Sequence, residues 1–236
     1  MSRGLLIFAR EPVPGRVKTR LARIIGDEGA AELYRAMLDD VIGMACGLEG
    51  IRPLLFWAAD QGRLPAYSTA ERCESYLQQG ANLGERMAQA FSVAFAAGIR
   101  SCCIIGTDAP DLPPAFIRQA FDLLEHDGAD TVFGPAHDGG YYLLGLRELY
   151  RGLFNDIAWS TPTVLSASLD RAKALGLRTR LLPLWYDIDT FDDLERLTTA
   201  PDAPRLATRA VLERLLNGLN MPVAPREHTN FRTSEV

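Results

Sequence analysis

The chain has 236 residues, 47% of them apolar and 23% charged, an ordinary balance for a globular enzyme with a core of its own. Its formal charge of -5 and pI near 5.3 argue against a nucleic-acid or membrane-surface binder, since both favour basic faces. No apolar run approaches the ~18 residues that span a bilayer.

A short apolar run, residues 5–9, reads as the first strand; Glu11 and Pro12 follow at once and there is no small-residue cleavage site, so it is not read as a signal peptide. Residues 28–46 put Leu33, Met37, Val41, Ile42 and Ala45 on one helical stripe. Strands follow at 52–59 and 74–80, then a helix at 82–98 with Asn82 as cap and Gly98 as stop. "SCCIIGTD" (101–108) is a strongly apolar strand, and 114–128 a helix with Pro114 in its first turn. Strands at 130–136 and 139–146, a helix at 161–175, an extended run at 178–189 and helices at 191–199 and 204–218 complete the pattern.

This alternation predicts one α/β domain over 1–219, its mixed and mostly parallel sheet flanked by helices. Residues 220–236 form a polar tail with Pro222 and Pro225, a composition that points to disorder. Cys46, Cys73, Cys102 and Cys103 show no CxxC or Cys/His spacing and read as buried free thiols of a cytoplasmic protein.

Ligands of such sheets bind beyond the carboxyl ends of the strands, and the chemically active residues stand there. Behind the first strand, "IFAREPVPGRVKTRLAR" carries Arg10, Arg16, Lys18, Arg20 and Arg23 against Glu11, so this +4 segment leaves -9 for the rest. Gly15 and two prolines shape a turn, and a helix begins after it. A helix start with Lys18 as a point charge and Arg16 and Arg20 as paired donors suits phosphate oxygens. The segment lacks GxxxxGK[ST] and is no P-loop.

In "GTDAPDLP", Asp108 reads as a metal or ribose contact, and Asp111 either shares that ligand or serves the turn before the next helix. In "DIDTFDDL", Thr190 and Asp193 fit a capping box, which leaves Asp189 to meet Asp108 around Mg2+ or Mn2+. Asp187 and Asp189 point to opposite faces if the strand stays regular. "GPAHDGGYYLLGL" offers Gly139 and Gly140 for close backbone approach and Asp138 as an acceptor-side carboxylate, with His137 either a general base or, more in keeping with a lone loop histidine, a solvated residue. Arg86 in "GANLGERM" either reaches the same phosphates or is an exposed helix arginine.

The five motifs quoted, in this order over residues 4–197, resemble a family of small bacterial transferases labelled glycosyltransferases, of the GT-A or nucleotide-diphospho-sugar transferase fold, some of them associated with arsenosugar biosynthesis. "KTRLA" and "DIDT" also resemble 2-phospho-lactate guanylyltransferase and the molybdenum-cofactor nucleotidyltransferases. The resemblance implies nucleotide phosphates on Arg16, Lys18 and Arg20, divalent metal at Asp108 and Asp189, and an acceptor near Asp138–Gly140. Phe191 stands where relatives commonly have proline, and there is no plain DxD.

Two reactions follow from this reading. In glycosyl transfer a nucleotide sugar is the donor and Asp138 the base for a small-molecule acceptor. In nucleotidyl transfer a nucleoside triphosphate is the donor, and Lys18 and Arg20 stabilise the departing pyrophosphate. A non-catalytic nucleotide-binding protein is the third possibility.

Overall fold

Helices cover both faces of the sheet, which is why its strands read as continuous apolar runs and not as alternating ones. The structure, a computed structural model, describes residues 2–59, 62–199 and 206–219; the expected tail at 220–236 lies outside them. The elements run β1 (Arg3–Arg10), α1 (Thr19–Cys46), β2 (Ile51–Ala58), β3 (Glu74–Leu77), α2 (Leu83–Ala96), β4 (Ser101–Ile105), α3 (Pro114–Glu125), β5 (Thr131–Pro135), β6 (Tyr141–Leu146), α4 (Val164–Ala174), β7 (Thr179–Leu181), α5 (Phe191–Thr199) and α6 (Ala207–Gly218). Among the described residues the seven strands form one sheet in the order β3-β2-β1-β4-β6-β5-β7, with β6 alone antiparallel to its neighbours.

Residue alternation sorts the core into two layers. Leu5, Ile7 and Ala9 of β1 pack with Leu38, Val41 and Ile42 of α1 and Ile117 and Phe121 of α3. Leu6 faces the other side, with Met87, Phe91 and Ala94 of α2 and Ala172 of α4. A third cluster joins the first half and middle of α1 to the last two described helices. Leu21, Ile25, Leu33 and Met37 meet Ile188, Leu194 and Leu197 around α5, and Leu212 and Leu216 of α6. That packing carries residues 187–189 to the mouth of the sheet.

From β1 the chain winds outward through β2 and β3, then returns to lay β4 on the other flank of β1. The reversal makes a crevice between β1 and β4, the place where open α/β sheets hold ligands. Register shows how it opens: β4 follows β1 only as far as Ile7↔Ile105, whereas β2 continues alongside to Arg10↔Ala58. Phe8, Ala9 and Arg10 therefore have no strand on the β4 side.

The long helix is broken at Gly26, whose backbone (φ 75°, ψ 163°) leaves helical geometry, so the basic loop opens its own short helical piece ahead of the stripe at 28–46. The cysteines differ in part from expectation. Cys102 and Cys103 are buried in β4, but Cys46 and Cys73 are only half-buried, with their sulfurs 3.5 Å apart. The reason is location: Cys46 ends α1 and Cys73 precedes edge strand β3, both at the rim of the core.

Candidate active site

The sequence places Lys18 at the helix start, and the structure gives it an unusual backbone there: it precedes α1 in the left-handed region (φ 46°, ψ 42°). This turns its side chain inward, where 4% of it is exposed. The ammonium lies 2.5 Å from Asp108 Oδ1, 2.9 Å from Asp189 Oδ1 and 2.5 Å from the Ile188 carbonyl oxygen. Burial works against its charge, but the two carboxylates outweigh that and hold the Lys18 pKa above the usual lysine range. An ammonium has three donors, and these three acceptors match them. The amino-terminal loop, the end of β4 and the segment before α5 thus meet at one point, with the Ile188 N–H donating to the Asp108 carbonyl at 2.8 Å.

Two cavities flank this point. The smaller, about 280 Å³, is lined by Arg10, Arg16, Lys18, Arg20, Asp108 and Asp189 together with Tyr34 and Thr107. The larger, about 440 Å³, lies over the open edge of β1 and shares Phe8, Arg10 and Asp108 with the first; Arg86, Tyr141 and Asp187 also line it. Arg86 is anchored there by a bond from its Nε to the Gly80 carbonyl.

Other residues read from the sequence sit farther back. Asp111 lines neither cavity and accepts a hydrogen bond from the Tyr186 hydroxyl. It does not cap α3, whose first residue is preceded by Pro113. Asp138 is exposed and folds back to accept the Gly140 N–H at 2.8 Å. Gly139 (φ 88°) packs so closely under residues 161–165 that an added Cβ would lie 2.0 Å from the Pro162 carbonyl oxygen. Turn geometry and packing thus account for the glycine pair without a ligand. Gly139→Ala is expected to cost about 2–4 kcal/mol in urea unfolding, because both the φ angle and the space forbid a side chain. Gly15, also at positive φ (75°), shapes the turn ahead of Arg16, and Asp193 accepts the Thr190 N–H as in a capping box, with the Thr190 hydroxyl donating to the same carboxylate.

Three residues here, Tyr34, Thr107 and Asp187, were given no role from the sequence, and Tyr34 lies outside every motif. Tyr34, on the buried stripe of α1, accepts from the Arg10 N–H at 3.0 Å and bonds Thr107 Oγ1 at 2.8 Å, tying the ends of β1 and β4 to one helix. Asp187 lines the larger cavity, and its carboxyl is pushed up to about 7, first by burial and then by the charges of Asp108 and Asp138. The strand that would have turned it away from Asp189 ends at Leu181, so the two-residue alternation does not apply.

Among the described residues no cluster of three or more His, Cys, Asp or Glu side chains is arranged to enclose a metal. The pair Asp108 and Asp189 suits a looser mode. Each is half-exposed, both present hard oxygens, and they already share one cation, the Lys18 ammonium. Mg2+ commonly takes one or two carboxylates and completes its shell with phosphate and water, so the donor set fits.

The family described as "Uncharacterized protein conserved in bacteria (DUF2064)" matches residues 42–161, about half the chain. This chain belongs to DUF2064. Among solved structures it is similar to a candidate nucleotide-diphospho-sugar transferase from Desulfovibrio desulfuricans G20, with 31% identity over 92% of this chain and 96% of that one and a TM-score of 0.84. A cytidylyltransferase from Leptospira borgpetersenii (13% identity, 93% and 96% covered, TM-score 0.54) shares the fold. So does the synthetase for CMP-2-keto-3-deoxy-manno-octonic acid solved with CTP (12%, 91% and 99%, 0.53). No curated protein matches the chain. This DUF2064 member therefore has the GT-A-like fold of nucleotide-dependent transferases, and none of its described helices is long and apolar enough to cross a membrane.

Proposed function

We propose that the protein transfers a glycosyl group from a nucleotide-diphospho-sugar to a small acceptor, with Asp108 and Asp189 holding Mg2+ or Mn2+. The observation that carries this reading is the meeting of an arginine-lined cavity and a carboxylate pair at the crevice, beside a second cavity of about 440 Å³ with room for a sugar. The 31%-identical relative described as a nucleotide-diphospho-sugar transferase supports the same donor class.

Arg10, Arg16 and Arg20 bind the diphosphate oxygens, with paired donors that suit phosphate. A dication on the two aspartates supplies neutralisation of charge on the leaving diphosphate. Arg86 and Tyr141 line the space for the sugar and acceptor. The acceptor hydroxyl attacks the anomeric carbon, its proton passes to a cleft carboxylate, and the carbon–oxygen bond to the diphosphate breaks with its electron pair leaving on the nucleotide. Asp187 lines that cleft, and Asp138 stands close enough for its charge to act on Asp187.

Nucleotidyl transfer from a triphosphate is the second reading, supported by the concentration of arginines in the smaller cavity. In the ligand-free protein the Lys18 ammonium is matched with three acceptors, so Arg10, Arg16 and Arg20 are the cations that cavity offers first. Thermal melts with Mg2+ or Mn2+ separate the readings. At 100-fold over Kd a bound ligand adds about 2.7 kcal/mol, roughly 5–10 °C for a chain of this size. Nucleotide sugars are expected to produce that rise. A rise with triphosphates alone favours nucleotidyl transfer, and a bound nucleotide without turnover leaves a binding protein.

A further inference from the structure

We propose that Lys18 is a built-in competitor for the dication site: its ammonium closes Asp108 and Asp189 around itself in the ligand-free protein and must leave before a divalent cation binds there. The inference rests on the reading that these two aspartates hold the metal, and adds how access to them is controlled.

The geometry asks for it. The three partners that Lys18 Nζ meets at 2.5–2.9 Å, from Asp108, Asp189 and Ile188, are all oxygens, the donor type a small hard cation takes. Each carboxylate puts one oxygen on the same ammonium, at 2.5 and 2.9 Å, so the two oxygens lie within a few ångströms of each other. A dication bridging those oxygens would sit against the ammonium, and like charges at that distance repel. The two cations therefore exclude one another.

Residue type points the same way. The chain carries 23 arginines and only two lysines, Lys18 and the exposed Lys173 of α4. A flat guanidinium fork does not fit three acceptors converging on one point, whereas a compact ammonium on a flexible stem does, and it can swing away. Its destination is close: the phosphate-sized cavity with Arg10, Arg16 and Arg20 is lined by Lys18 itself. Metal alone must displace the ammonium into a cluster of like charge. Metal arriving with a diphosphate gives the ammonium an anion to meet, so the two ligands bind with positive coupling.

Mn2+ binding, followed by the electron paramagnetic resonance of the free ion, tests this on the full chain without any turnover. If the open arrangement is populated at about a tenth in the free protein, removing the ammonium tightens apparent affinity on the order of tenfold. Lys18→Met is expected to show that gain for Mn2+ alone, while in the wild type pyrophosphate supplies much of it. A merely structural lysine predicts the opposite, since its loss would disorder the aspartates and weaken Mn2+. Equal or weaker binding by Lys18→Met, with the wild type still binding Mn2+, overturns the competition and leaves the metal site standing. Absence of Mn2+ binding to both proteins, with and without pyrophosphate, overturns the metal site and the competition together.

Should the variant fail to fold, acetylation of wild-type amines read by mass spectrometry decides, with Lys173 as internal reference. Lys18 is expected to be protected in EDTA and labelled once Mn2+ binds. Protection that persists at saturating Mn2+ overturns the proposal.

Discussion

Asp108→Ala is expected to lower kcat/KM by at least about 10³ while the protein remains folded. The size follows from position. Asp108 stands just beyond β4 at the sheet reversal, lines both cavities, and shares one cation with Asp189. Removing one preorganised group that meets charge on the leaving diphosphate costs roughly 10²–10³ in rate, and loss of a metal ligand adds to that. The fold should tolerate the change. The Asp108 side chain is half-exposed and sits outside the core, and its backbone carbonyl, which takes the Ile188 N–H, is kept. Lys18 would keep Asp189 and the Ile188 carbonyl, so destabilisation should stay near 1–3 kcal/mol. Turnover with the donor that raises the melting temperature checks it; a variant that retains wild-type kcat/KM would remove Asp108 from the chemistry.

The layers of this fold are legible because burial on both faces leaves a simple mark, whereas the strand order, set by contacts between distant segments, is not. Runs such as "LLIFA" and "SCCII" are apolar throughout, and helical stripes such as Leu33, Met37 and Val41 separate them. Termini were legible where local chemistry sets them: Asn82 accepts the Glu85 N–H, and Asp193 the Thr190 N–H. The start of α6 was less so, because its cap comes from another helix. Asp40 of α1 accepts the N–H groups of Ala207 and Thr208, a contact 167 positions away that no local pattern encodes.

The site divides in the same way. Its loops announced themselves by charge, and Lys18, Asp108 and Asp189 do converge. Their pairing was not legible: a loop lysine read as a phosphate ligand turns inward because its backbone is left-handed, and residue type alone does not report that. Asp187 was passed over on the assumption of a regular strand, when the chain beyond Leu181 leaves strand geometry. Tyr34 was hidden in an apolar stripe, although a tyrosine hydroxyl in a buried stripe needs a polar partner, a signal that could have flagged it.

Asp187→Asn should make the metal-free protein more stable while turnover falls. In the fold its carboxyl keeps a proton up to about pH 7, since burial and the neighbouring Asp108 and Asp138 charges oppose ionisation and Lys18 offsets them only in part. In the unfolded chain the same group ionises near pH 3.9. Between those values the unfolded state loses the proton first, so rising pH drains stability from the wild type, and the loss levels off once the folded carboxyl has ionised too. Asparagine keeps the shape without the charge and escapes this loss. In EDTA, the melting temperature of Asp187→Asn should exceed wild type little near pH 4.5, then pull ahead to a plateau above pH 7.5. With allowance for the water that reaches this half-buried group, the plateau is worth on the order of 2 kcal/mol, or roughly 4–8 °C. A pH-independent difference between the two proteins would mean that Asp187 ionises normally in the fold. A group that destabilises its own fold where it is charged, in a cleft beside two candidate metal ligands, has the character of one kept for chemistry and not for structure.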